Sequence, residues 1–161
     1  MHHVLQQARQ ALSNRLAIVS LPMPLDNECN HMISRPFSAH VNACHYARLG
    51  LAVWRARPEL FAEFDDWLFA PPSPPPITEA RSRAEQLVGR EQLEKTLSEG
   101  WVEQQLKMDI AIYEANYKQM QSGRMPQLII ENHIVLGPVA RIEDIYSLLE
   151  THLKLDVPNF E

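Results

Sequence analysis

The side chains best equipped for chemistry in this sequence fall within one short stretch: Cys29, His31, His40, Cys44 and His45. A cysteine can attack as a thiolate, ligate a metal or form a disulfide, and an imidazole can carry a proton or bind a metal. Cys29 and Cys44 are the chain's two cysteines, so neither a disulfide-rich scaffold nor a four-cysteine zinc site can be built from it alone. Three uses of the pair stay open. It can form a structural disulfide if the Cα atoms approach within about 7 Å, closing a loop that stabilises by roughly 3 kcal/mol. It can remain reduced and pack as two small hydrophobes. It can also act as a second redox pair that relays electrons. Zinc fits poorly, because Cys29 with His31 and His40 with Cys44 match no common finger spacing, so no metal is expected.

Other catalytic signatures are missing. Gly-x-Ser-x-Gly, phosphate-loop, Gly-x-Gly-x-x-Gly and His-Glu-x-x-His patterns do not occur, and no cofactor is expected. Asp65-Asp66 reads as the solvated side of an amphipathic helix. Trp54, Phe61, Phe64, Trp67 and Phe69 read as core, since aromatic residues at helical spacing usually mean burial. Pro71-Pro72-Ser73-Pro74-Pro75-Pro76 must be extended and reads as a rigid connector rather than a PxxP ligand. His2 and His3 read as helix-surface residues rather than a tag remnant; there, a protonated imidazole would lower the pKa of a neighbouring thiol.

The elements that must position these groups follow from periodicity and punctuation. Val4, Leu5, Ala8, Ala11 and Leu12 predict a helix over 2–13, and Leu16 to Leu21 predicts a short buried strand stopped by Pro22 and Pro24. Residues 39–56 predict a helix through Ala43, Ala47, Leu51 and Trp54, and Pro58 starts the next in its first turn. Further helices are predicted from Ile77 with Thr78 as N-cap to Gly89, over 90–98, and from Trp101 to Met120 with Gly123 ending it. Gln127 to Ile130 and Ile134 to Leu136 predict a hairpin whose turn uses Asn132 at positive φ. A last amphipathic helix carries Ile142, Ile145, Leu148, Leu149 and Leu153.

With 161 residues the default is one domain with a substantial core. A net charge of -5, with Lys and Arg scattered, gives no basic footprint, so nucleic acid is not an expected partner. No apolar run reaches the roughly 20 residues needed to cross a bilayer, and the first residues lack the pattern of a signal peptide, so no membrane span is expected.

Two segments carry a resemblance. His40-Val41-Asn42-Ala43-Cys44-His45-Tyr46-Ala47-Arg48, running on to Phe61-Ala62-Glu63-Phe64-Asp65-Asp66-Trp67-Leu68-Phe69, resembles the stretch of DsbA-like proteins where a loop histidine precedes an alanine-rich helix and an F-x-x-F-x-D-x-L-F helix. Gly123-Arg124-Met125-Pro126-Gln127-Leu128-Ile129 resembles that family's loop before a strand, in which the proline follows a cis peptide bond. The resemblance covers nearly the whole chain. It implies an α/β class: a thioredoxin-like fold with an inserted helical subdomain, its first strand missing from this chain. The thioredoxin-like part would comprise 1–38 and 123–161, with the helical insertion at 39–122, in one compact domain with a three-stranded sheet.

The function implied is thiol–disulfide oxidoreductase, with thiol- or disulfide-bearing protein or peptide clients received at Met125 and Pro126. Met125 departs from the Thr or Val usual there, and its larger, softer side chain would alter client choice or simply pack. The family's Cys-x-x-C is not in this chain, so its catalytic residues are unknown and these residues alone should not run dithiol exchange. Met1 enters mid-helix without a capping residue, and preceding sequence is expected. A non-catalytic peptide-binding module of the same fold is the alternative. A periplasmic or membrane-tethered extracytoplasmic location is suggested by the resemblance alone. An exposed sheet edge would favour a homodimer.

Overall fold

The computed structural model describes residues 1–35 and 37–158. In chain order its helices are α1 (His2–Leu12), α2 (Ala43–Ala56), α3 (Pro58–Phe69), α4 (Ile77–Val88), α5 (Arg90–Ser98), α6 (Trp101–Met120) and α7 (Ile142–Leu153). Strands β1 (Gln127–Ile130) and β2 (His133–Leu136) lie between α6 and α7. The class is mixed α/β, mostly helical with a small antiparallel sheet. No helix among the described residues is long and apolar enough to cross a membrane.

The chain divides into two compact units, one formed by Met1–Ser20 with the chain from Ser122 onward, the other by Leu21–Gln121. The first break thus falls at residue 20 rather than 38. Residues 21–38 go with the helices because Met23 and Cys29 pack on the helical core and Cys29 is bonded to Cys44 of α2. Residues 159–161, at the end of the expected second segment, lie outside the described residues.

In the first unit, Ala8 and Leu12 of α1 stand one turn apart and pack with Val139 and with Ile145, Tyr146 and Leu149 of α7 around a common core. Glu143 and Asp144 in the first turn of α7 complement its helix dipole, and Lys154, in the left-handed region, ends it. In the hairpin, Gln127 pairs with Leu136 and Ile130 with His133. Its left-handed turn residue is Glu131, at φ 50°, rather than the expected Asn132.

The expected strand over Leu16–Leu21 does not form. Leu16 is extended, but among the described residues β1 and β2 pair only with one another, and Val19 and Leu21 are 71% and 41% exposed. An apolar, β-branched run becomes a strand only where a ladder partner takes its backbone groups. Among the described residues the sheet therefore has two strands rather than three.

In the second unit, Leu49, Ala52, Val53, Phe64, Leu93, Val102, Leu106 and Ile110 form the core of α2 to α6. Gly89 at φ 84° separates α4 from α5, and Gly100 at φ 75° separates α5 from α6, both in a region other residues seldom enter. Three boundaries differ from expectation. Helix α2 starts at Ala43, after left-handed Asn42; Thr78 lies inside the first turn of α4; and left-handed Gln121 ends α6 before Gly123. Trp54 and Phe69, expected in the core, are 42% and 56% exposed. Trp54 instead stacks on Trp101, 5.6 Å between ring centres, with the Arg55 guanidinium also on that ring.

Candidate functional site

Two sets of residues singled out by sequence lie in different units. Met125 and Pro126 belong to the first, immediately before β1, and the bond between them is cis, as the resemblance implies. Both are half-buried. The Pro126 carbonyl accepts the Gly137 N–H at 2.9 Å, which extends the hairpin ladder one pair past Gln127 and Leu136. Hydrogen-bonded pairs alternate along an antiparallel ladder, so Leu128 and Ile130 turn their backbone groups to β2 and Ile129 turns its own outward. Ile130 is buried, whereas Ile129 is exposed.

Cys29 and Cys44 are joined in a disulfide, with their Cα atoms 5.9 Å apart. Cys44 is fully buried in the first turn of α2, and Cys29 lies in a turn held by Asn30. The fully buried Asn30 side chain donates to the Pro24 carbonyl at 2.7 Å and accepts the Met32 N–H at 3.0 Å. The neighbouring Glu28 accepts from Arg48 of α2 at 2.5 Å, and Arg48 also reaches Glu103 of α6 at 2.5 Å. Burial works against the Arg48 charge, but the hydrogen bonds to Glu103 and Glu28 outweigh it and hold the pKa above its usual value.

The histidines do not converge on the cysteines. His45 meets Glu28 at 3.3 Å, His31 meets Glu114 at 3.2 Å, and exposed His40 lies edge-on to Phe37. Hydrogen bonds from Lys118 and then His31 hold the Glu114 carboxyl below its usual range. The zinc alternative needs both cysteines as thiolates, and the disulfide consumes both. The reduced-pair alternative is likewise replaced by the disulfide. His2 is half-buried and His3 exposed on α1, their rings edge-on to one another.

Three features escape the sequence reading. Asp109 of α6 is buried, with Oδ1 accepting from Gln105 at 2.8 Å and Oδ2 without a partner, and burial pushes its carboxyl pKa up. Its spacing from Val102 and Leu106 puts it on the apolar face of α6, a signal that could have found it. An open groove of about 300 Å³ is lined by Trp67 of α3 and by Thr78, Ser82, Arg83 and Gln86 of α4. The third feature is the Arg124 guanidinium, whose Nη2, Cζ and Nε lie 3.4, 3.5 and 3.5 Å from the point where a Cβ on Gly137 would stand.

Comparison with protein-family models, with curated proteins and with solved structures gave no match to this chain.

Proposed function

We propose that this chain is part of a DsbA-like thiol–disulfide oxidoreductase, with a thioredoxin-like first unit interrupted by a helical insertion, and that the Met125–Pro126 loop receives an extended client segment. The observation that carries the reading is the discontinuous first unit: α1 shares a core with α7, and the hairpin that opens at Pro126 belongs with them across the intervening helices. The two segments that resemble DsbA-like proteins support it from the sequence side.

The chain holds no Cys-x-x-C and its two cysteines are already joined, so the exchange needs a dithiol from outside these residues. A thiolate of that dithiol attacks a client disulfide, forming a mixed disulfide and releasing one client thiolate. The second cysteine then attacks the mixed disulfide and releases the reduced client. Two electrons pass to the client while the dithiol becomes a disulfide; the reverse sequence oxidises a dithiol client.

The consumed cysteine pair favours a second reading of these residues taken alone, a non-catalytic module that binds extended segments at the same loop. Reading the coding DNA upstream of the Met1 codon separates the two. An in-frame Cys-x-x-C, with insulin reduction by the extended product that is lost on Cys→Ser substitution, supports the oxidoreductase. Its absence leaves the binding module. Pairing of two copies along the outward edge of β1 is a further expectation, checked by light scattering, with a monomeric mass counting against it.

A further inference from the structure

Arg124 stands two residues before Pro126 and is exposed. Three atoms of its guanidinium lie at nearly equal distance, 3.4 to 3.5 Å, from the Cβ position of Gly137, so the planar group faces Gly137 rather than pointing away from the hairpin. Gly137 is the residue whose N–H bonds the Pro126 carbonyl. The guanidinium is thereby held at the foot of the hairpin, beside the loop assigned to the client.

No ion pair involves Arg124 among the described residues. The same holds for Arg15, Arg35 and Arg55, whereas Arg48, Arg57, Arg81, Arg83, Arg90 and Arg141 each have a glutamate partner. A guanidinium facing one surface of a protein keeps its in-plane N–H fork open to an acceptor, and the fork matches the two oxygens of a carboxylate.

We propose that Arg124 makes this loop selective for clients whose extended segment carries an Asp or Glu side chain beside Pro126, the carboxylate accepting from the guanidinium. The proposal rests on the client-loop reading above and adds the chemical class of client.

Fluorescence anisotropy with the full chain tests it, using a fluorescein-labelled Ser-Val-Glu repeat peptide and its Ser-Val-Gln counterpart at low ionic strength. The Glu peptide is expected to bind about tenfold more tightly. The preference should disappear in Arg124→Gln, persist in Arg141→Gln, and shrink as salt is added. Arg124 is exposed, so Arg124→Gln should keep the wild-type melting curve, which separates lost contact from lost fold. Equal binding of the two peptides, or a preference that survives Arg124→Gln, overturns the carboxylate proposal while leaving the client loop standing. If neither peptide binds, or if binding is unchanged in Met125→Ala and Pro126→Ala, the client-loop reading fails, and this proposal with it.

Discussion

Asn30 donates from its side-chain amide to the Pro24 carbonyl at 2.7 Å, one of the bonds that hold the turn carrying Cys29. The same side chain accepts from Met32, and its backbone N–H bonds the Asp26 carbonyl. Asn30→Ala leaves a buried carbonyl and a partly buried N–H without partners, at an expected cost of about 2 kcal/mol. Asn30→Asp should cost more at neutral pH, since it sets a buried carboxylate oxygen against the Pro24 carbonyl. Urea denaturation measures both, as a lower midpoint at unchanged slope. A wild-type midpoint for Asn30→Ala would mean that the turn is held by other groups.

The disulfide adds to this turn through the unfolded chain. Cys29 and Cys44 are separated by 15 positions, and opening a loop of that length is expected to cost about 3 kcal/mol. Denaturation with and without dithiothreitol reads the difference directly. Titration of the oxidised protein under denaturing conditions should find no free thiol, and two free thiols would remove the disulfide from the account. The Glu28–Arg48–Glu103 contacts do not involve the cysteines, so the turn should remain near α2 on reduction.

The helices were legible because their signals are local. Pro58, Gly89 and Gly100 punctuate the chain where a fixed φ or a positive φ is required, and the apolar spacing between them has the helical period. Leu16–Leu21 misled for a non-local reason. Its composition suits a strand, but pairing depends on a neighbour that no residue within the segment encodes. The hairpin was legible in place, yet the choice between Glu131 and Asn132 for the left-handed position was not, because propensity favours Asn while turn geometry can override it.

The candidate site was legible in part. The Met125–Pro126 loop was identified from a resemblance, and Cys29–Cys44 from residue type, with the choice among disulfide, reduced pair and redox relay left to geometry. Arg124 beside Gly137 was invisible, since that contact exists only once the hairpin has closed. The histidines were legible as a cluster in sequence, but the folded turn sends His31, His40 and His45 to separate partners.

Gly137 combines burial with φ 93°, where a β-carbon is strained. Gly137→Ala is therefore expected to lose about 1–2 kcal/mol. Its methyl would meet Arg124 at ordinary contact distance, so the loss should come from the backbone. The double variant with Arg124→Ala distinguishes the two sources, with the cost of Gly137→Ala expected to be the same in either background. A cost that vanishes without Arg124 would place the conflict in the side chain instead.

Asp109 makes stability depend on pH. Burial raises its carboxyl pKa in the folded protein, opposed by the hydrogen bond from Gln105, so the native state keeps the proton to a higher pH than the unfolded chain does. Across the window between the ordinary carboxyl range and the raised native value, the native state binds more protons, and stability falls as pH rises through it. Above the window the penalty is constant. Asp109→Asn cannot ionise, so its stability relative to wild type should climb with pH through that window, level off beyond it, and fall to its lowest value in acid. Gln105→Ala removes the bond that lowers the carboxyl pKa and should widen the window upward. Denaturation midpoints of the three proteins over a pH series measure the effect, and a difference between wild type and Asp109→Asn that does not vary with pH would mean that the Asp109 carboxylate is solvated or paired in solution.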